Sequence, residues 1–200
     1  MGMRIIGGVY RSRLIQMPKG AEIRPTQDRV REAIFNILGD INGKLILDLF
    51  AGSGAFGLEA LSRGASHATF VENNSRCLKT IEENIESLNI PASKYDIVRG
   101  SVFTVLPRLE KEGNRYDIIF LDPPYHKDMA KNCLINIDYY DILTKFGLAV
   151  AEHFKKDSLE TGLDTMEALT ERKYGDTSVT IYRKTLHLLN KGGVEGEGAG

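Results

Sequence analysis

Apolar residues in this 200-residue chain fall into two patterns, short continuous runs and longer stretches in which they recur every three or four positions. The runs at 45–50, 67–71, 96–99, 116–121 and 147–153 read as buried parallel strands, because a strand covered on both faces needs no polar alternation. The periodic stretches between them predict helices at 55–63, 75–89, 102–111 and 128–144. Upstream, Thr26 suits the N-cap of a helix reaching Leu38, with Val30, Ala33, Ile34 and Ile37 on its core face. Two later strands, 164–173 and 177–184, are joined by the turn residues Lys173 to Thr177. Such a pair after five strand–helix units predicts the antiparallel end of an α/β sheet. At the start, extended runs from Met3 to Ile6 and Tyr10 to Met17 flank Gly7-Gly8 and close at Pro18 and Gly20, which predicts a small β-hairpin packed on the domain edge. The chain thus divides into a hairpin extension (1–25), an α/β domain (26–186) and a glycine- and glutamate-rich tail (187–200) expected to be disordered.

Chemistry enters where the first buried strand, Leu45 to Phe50, runs into Ala51-Gly52-Ser53-Gly54-Ala55-Phe56-Gly57. Glycines let the backbone approach a ligand and turn sharply into a helix. Gly52, Gly54 and Gly57 fit G-x-G-x-x-G, a string that also serves dinucleotide oxidoreductases and plain strand-to-helix turns. Glu72 ends the next strand, where a carboxylate accepts both hydroxyls of a ribose. That placement fits NAD and S-adenosylmethionine equally. Asp48 tips the balance toward S-adenosylmethionine: dinucleotide folds usually place an apolar residue there, whereas a buried carboxylate suits the ammonium of a methionine moiety, met directly or through water. The competing reading makes Asp48 an internal acceptor for the glycine loop's own N–H groups.

The strand Tyr116 to Leu121 ends in Asp122-Pro123-Pro124-Tyr125. An exocyclic amine on a nucleobase has its lone pair drawn into the ring and is a poor nucleophile until acceptors draw on its N–H bonds. Asp122 is such an acceptor and could take the proton. Two prolines fix φ and carry no N–H, so the Pro123 carbonyl can be aimed at the second amine hydrogen. Tyr125 supplies a flat face for a base removed from its stack. The bland alternative is a proline-stiffened turn leaving a strand.

Hydrophobic residues at 42% and charged residues at 26% suffice for one full core without metal or disulfide. Cys77 and Cys133 have no recognisable spacing and read as small, buried or half-buried apolar residues, which suits a reducing cytoplasm. No apolar run approaches membrane-spanning length, no signal peptide is expected, and Ile6 stands where a myristoylation motif wants Ser or Thr. The four histidines show no ligand spacing. The net charge of −1 hides an asymmetry: residues 1–31 hold seven basic residues against two acidic ones, a net of +5, and the remaining 169 residues carry −6. A basic arm on an acidic body fits a phosphate-backbone ligand, with a solvated charge run as the plainer reading. Arg11 and Arg13 are expected to face outward, and removing residues 1–18 is expected to leave the cofactor site intact.

Taken together, Arg4-Ile5-Ile6-Gly7-Gly8, Arg24-Pro25-Thr26, Asp28 to Glu32, Asp48 to Leu61, Arg63-Gly64-Ala65, Phe70-Val71-Glu72, Asp122 to Tyr125 and Tyr174 to Thr177 resemble the RsmD family of bacterial 16S rRNA guanine-N2 methyltransferases. The resemblance implies a Rossmann-like S-adenosylmethionine-dependent methyltransferase fold with the N-terminal β-hairpin extension. It implies direct, in-line and metal-free methyl transfer to a guanine in 16S rRNA, within an assembled or assembling small ribosomal subunit, by a cytoplasmic monomer. Asp122, Pro123 and Tyr125 would be catalytic. Asp48, Phe50, Ala51, Gly52, Gly54, Glu72, Asn73, Ser101 and Val102 would bind cofactor, and Arg4, Arg11, Arg13, Arg24 and Arg29 would bind RNA. One departure stands out: many relatives carry an Asp for the adenine amine after the third strand, and here Gly100 precedes Ser101. That contact passes to the Ser101 hydroxyl and the Val102 N–H. The alternatives are an adenine-N6 methyltransferase, an NAD-dependent oxidoreductase and a non-catalytic RNA-binding module.

Overall fold

The computed structural model describes residues 3–18, 26–124, 128–157, 159 and 162–185. The expected tail, Arg24, Tyr125 and His126 lie outside the described residues. The elements are β1 (Met3–Arg4), β2 (Leu14–Ile15), α1 (Thr26–Leu38), β3 (Leu45–Leu49), α2 (Ala55–Ser62), β4 (His67–Glu72) and α3 (Ser75–Leu88). A short 3₁₀ turn (Ala92–Lys94) then leads to β5 (Tyr95–Arg99), α4 (Val102–Lys111), β6 (Tyr116–Leu121), α5 (Met129–Tyr139), β7 (Leu143–Phe154), β8 (Met166–Tyr174) and β9 (Thr177–Lys184).

Seven strands form one sheet in the order β5-β4-β3-β6-β7-β9-β8, with β3 to β7 parallel and β9 antiparallel to both its neighbours. The strand order reverses between β3 and β6, so their carboxyl ends open a crevice, the usual ligand position in such sheets. One apolar core packs α1, α2, α3 and the N-terminal arm on the first face, through Ile34, Phe35, Leu58, Phe70, Ile81 and Phe120. A second core packs α4 and α5 on the other face, through Leu106, Leu121 and Leu134. That double covering is why the strands read as continuous apolar runs.

Two expectations fail in instructive ways. The helix foreseen to residue 144 stops at Tyr139, because Asp141 takes a left-handed φ of 51° and the chain joins β7 at Leu143. Ile142 and Leu143 continue the helical spacing, but their burial comes from the sheet side. The β6–β7 register then shifts between Tyr116 and Ile118, so that Leu148 pairs with Ile118, and Phe146 is left exposed at φ 63°. On α1 the core face is Val30, Arg31, Ile34 and Phe35, and Ile37 is 43% exposed. Phe35 turns the helix toward the core by packing against Phe56 and Phe120, at centroid distances of 6.5 and 5.5 Å.

The turn of α1 also buries Arg31, which the charge count had placed in the exposed basic arm. Its guanidinium donates to the Met3 sulfur, to the Arg4 carbonyl at 2.6 Å and to Asp28 at 3.1 Å, and pairs with Glu59 at 3.7 Å. Glu59, fully buried on α2, accepts the N–H groups of Ile6 and Gly7 at 2.7 and 2.8 Å and the Arg63 Nε at 2.7 Å. Asn84 of α3 completes the attachment: its amide accepts the Gln16 N–H and donates to the carbonyls of Gln16 and Ser53. Met3, Ile5 and Ile15 are core residues. The β1–β2 hairpin is present, and its contacts oppose the expectation that removing residues 1–18 spares the cofactor site: excision is expected to strip donors from a buried carboxylate and to expose the core beside the glycine loop.

Candidate active site

The register sets a row of residues along the carboxyl edge of the sheet. Leu49 pairs with Val71 and Leu121, and Leu121 with Ala151, so the residues that follow, Glu72, Phe50, Asp122 and Glu152, stand side by side on β4, β3, β6 and β7. Two cavities open along this row. The larger, about 540 Å³, is lined by Phe50, Glu72, Asn73, Asn74, Cys77, Ser101, Val102, Phe103, Asp122, Pro124 and Met129, among others. The smaller, about 130 Å³, is lined by Asp48, Phe50, Ala51, Gly52, Ser53, Phe56, Asp122 and Glu152, with Arg31, Met3 and Met17 from the first turns of the fold. Asp122 and Phe50 line both. Phe50 holds a left-handed φ of 59°, strain of the kind a bulky residue carries where surrounding structure imposes it.

The glycine loop divides its duties. Gly52, at φ 58°, lines the smaller cavity. Gly54, at φ 78°, lines neither cavity and instead forms the turn into α2, donating to the Ala51 carbonyl at 2.7 Å. Gly57 is required by packing: a Cβ there would lie 2.3 Å from the Phe70 ring. Thus one of the three motif glycines faces the ligand space and two serve the turn and the core.

Glu72 braces the loop as well as facing the larger cavity. One carboxylate oxygen accepts the Gly52 N–H at 2.9 Å, and the other accepts the N–H groups of Asn73 and Asn74 at 2.8 Å. A carboxylate has about four acceptor positions, so ribose hydroxyls can still be accommodated. Replacing it by Ala is therefore expected to weaken S-adenosylmethionine binding by about 1–3 kcal/mol for the charged acceptor alone, with a further loss from the loosened loop. Calorimetry on the folded variant checks this, and unchanged affinity would remove Glu72 from the cofactor site.

Asp48 satisfies part of the internal-acceptor reading, since its Oδ2 accepts the Gly57 N–H at 2.9 Å, yet it also lines the smaller cavity. Burial pushes its carboxyl up to about 8; the Gly57 bond opposes this, and the nearby Asp122 and Glu72 add to it. With a folded value above the ordinary 3.8, the folded protein holds a proton that the unfolded chain has lost between about pH 4 and 8, so stability declines as pH rises through that window. A cationic ammonium in the cavity favours the ionised form. Binding of S-adenosylhomocysteine at pH 7 is accordingly expected to release protons, measured as a dependence of the binding enthalpy on buffer. Asp48→Asn should abolish that dependence.

Ser101 is the N-cap residue of α4 without using its hydroxyl as the cap, and it lines the larger cavity with Val102. Pro123 is buried and Pro124 is exposed along the cleft. Arg4, Arg11, Arg13 and Arg29 are exposed. Arg4 donates to the Ser12 carbonyl at 2.7 Å and Arg13 to the Ser87 carbonyl at 2.5 Å. Cys77 is half-buried and Cys133 buried, as their isolation in sequence suggested. Sequence reasoning missed Cys77, Phe103 and Met129 as cavity walls and Asn84 and Glu152 in the polar frame, because none belongs to a motif; Arg31 and Glu59 lie within the family segments, which by themselves give them no role.

A doubly covered sheet with this strand order, a glycine loop after its first long strand and Asp-Pro-Pro at the fourth defines a Rossmann-like methyltransferase. The family model described as "Conserved hypothetical protein 95" matches residues 3–183. The chain belongs to that family, the RsmD family to which its motifs point. It is 37% identical over 183 residues to "Putative rRNA methyltransferase YlbH" of Bacillus subtilis (strain 168), covering 91% of this chain and 99% of that one. It is 33% identical over 187 residues to "Ribosomal RNA small subunit methyltransferase D" of Escherichia coli (strain K12), covering 91% and 90%. Among solved structures, "Putative methyltransferase yhhF from Escherichia coli" superposes with a TM-score of 0.82 at 31% identity, covering 94% of this chain and all of that one. The chain is thus a methyltransferase, and the oxidoreductase and non-catalytic readings fall away.

Proposed function

We propose that this protein methylates the exocyclic N2 amine of one guanine in 16S rRNA, presented by an assembled or assembling small ribosomal subunit, with S-adenosylmethionine as donor. The observation that carries the reading is the position of Asp122, at the tip of β6, lining both cavities and followed by the rigid Pro123-Pro124. The small-subunit context is supported by the relatives named for it. S-adenosylmethionine supplies the methyl on a sulfonium whose C–S electron pair stays on sulfur, so no metal is needed to activate the leaving group.

Glu72 holds the ribose, Asp48 receives the ammonium, and the Ser101 hydroxyl with the Val102 N–H meets the adenine edge. Asp122 accepts one amine hydrogen and takes that proton as the N2 lone pair forms the new N–C bond. The Pro123 carbonyl accepts the other hydrogen, and Tyr125 offers the stacking face. These acceptors and the fixed strand end contribute mainly by alignment. Exposed Arg4, Arg11, Arg13 and Arg29, with Arg24, meet phosphates. We assign the protein to the cytoplasm as a monomer. Among the described residues no helix is long and apolar enough to cross a membrane.

The test offers labelled donor with unmodified small subunits, naked 16S rRNA and adenine-containing DNA, followed by nucleoside mass analysis. N2-methylguanosine from the subunit is expected. N6-methyladenosine would instead support the adenine reading, which the Asp-Pro-Pro string by itself also permits.

A further inference from the structure

Asp122 has a neighbour whose chemistry no motif announces. Leu121 of β6 pairs with Ala151 of β7, so Asp122, the residue after β6 ends, lies beside Glu152, which is still within β7, two residues before its end at Phe154; neighbouring strands are about 4.8 Å apart. Both line the 130 Å³ cavity, and Glu152 is 9% exposed. Asp48, in register with Phe120, lies two residues deeper than Asp122, with one oxygen engaged by Gly57. Asp122 and Glu152 are therefore the two carboxylates at the rim, where an acceptor amine must arrive to meet Asp122.

We infer that Glu152 is a specificity-determining residue, accepting the N1–H of the target guanine while Asp122 accepts from its N2 amine. This inference rests on the guanine-N2 reading above. The Watson–Crick edge of guanine presents two adjacent donors, N1–H and N2–H, and a pair of carboxylates presents two adjacent acceptors. Adenine offers its N6 amine beside N1, an acceptor. With the amine on Asp122, adenine would set the N1 lone pair against a Glu152 carboxylate oxygen, an acceptor facing an acceptor in a buried site. Sites built to bond a donor reject analogues lacking it far more strongly than apolar pockets reject a missing methylene. Accepting N1–H also pushes ring density toward N2, which makes the amine a better nucleophile. Arg31 lines the same cavity and offsets part of the carboxylates' mutual repulsion.

The experiment compares full-length wild type, Glu152→Gln and Glu152→Asp on small subunits reconstituted with guanine or 2-aminopurine at the methylated position. 2-Aminopurine keeps the amine but carries an acceptor at N1. In Glu152→Gln the amide can donate to that acceptor. Transfer to guanine is expected to fall about 10- to 100-fold, the scale of one lost charged hydrogen bond, and the 2-aminopurine-to-guanine ratio of kcat/KM to rise about tenfold or more. S-adenosylhomocysteine affinity stays within about twofold. Glu152→Asp, which keeps the acceptor, holds the wild-type ratio at a lower rate, so the inference remains testable if the Gln variant folds poorly. A wild-type enzyme that marks guanine N2 together with an unchanged ratio in Glu152→Gln would overturn the role of Glu152 alone. Weakened S-adenosylhomocysteine binding with an unchanged ratio would reassign Glu152 to the cofactor. Label on adenine in the wild type would overturn both this inference and the functional reading beneath it.

Discussion

Asp122→Ala is expected to transfer methyl about 10²- to 10⁴-fold more slowly than wild type, the usual range for removal of a positioned acid–base group. The loss should appear in kcat, because the carboxylate acts on the amine during transfer. Cofactor affinity should survive. Asp122 is one of the charges that hold the Asp48 carboxyl high, so its removal eases ionisation of Asp48 and favours a cationic ligand. Asp122→Asn, which keeps one acceptor oxygen, should fall between the two. Single-turnover transfer and calorimetry with S-adenosylhomocysteine separate the steps. Wild-type transfer by Asp122→Ala would eliminate the proposed mechanism.

The second large effect is on stability. Glu59→Ala removes the acceptor shared by Ile6, Gly7 and Arg63 and takes from the buried Arg31 one of its two carboxylate partners, leaving Asp28 at 3.1 Å. Burial lowers the Arg31 pKa, Glu59 and Asp28 act against that shift, and nearby Arg63 adds to it. Breaking a buried pair from one side typically costs about 3–5 kcal/mol. A loss of that size is expected in urea unfolding, with Ile5 and Ile15 becoming exchange-labile. Replacing Arg31 by Met in the same chain should recover only part of it, because the Ile6 and Gly7 N–H groups still lack their acceptor. A variant as stable as wild type would mean that the arm is held by its apolar contacts alone.

How much of this was legible in sequence follows from what each residue's burial depends on. The five parallel strands were legible because both faces are covered, leaving unbroken apolar runs. The β8–β9 hairpin was legible from its Gly175-Asp176 turn, with Gly175 at φ 64°. Asp122 and Glu72 were legible because each ends a run beside a motif. Arg31 and Glu59 were not, since charged residues at helical spacing read as a solvated face and their partners lie 28 and 53 positions away, at Met3 and Ile6. Ile142 misled because helix and strand both want an apolar residue there, and only the left-handed Asp141 decides between them. Glu152 was invisible because its meaning is a register, a relation between two strands that no single stretch of chain contains. The glycine string was seen for a partly different reason than the one that holds, as Gly57 serves Phe70.

The Asn84 amide has an engineering consequence. It ties the carbonyls of Gln16 and Ser53 together, so a segment that looks like an appended reader and a loop that looks like a cofactor cradle share one side chain. Grafting residues 3–18 onto another methyltransferase body would leave the graft unanchored unless Glu59, Asn84 and Ser62, whose hydroxyl accepts the Tyr10 N–H at 2.9 Å and donates to the Gly7 carbonyl at 2.5 Å, travelled with it. The transferable module is discontinuous: one hairpin at the start of the chain and three inward polar positions on two later helices.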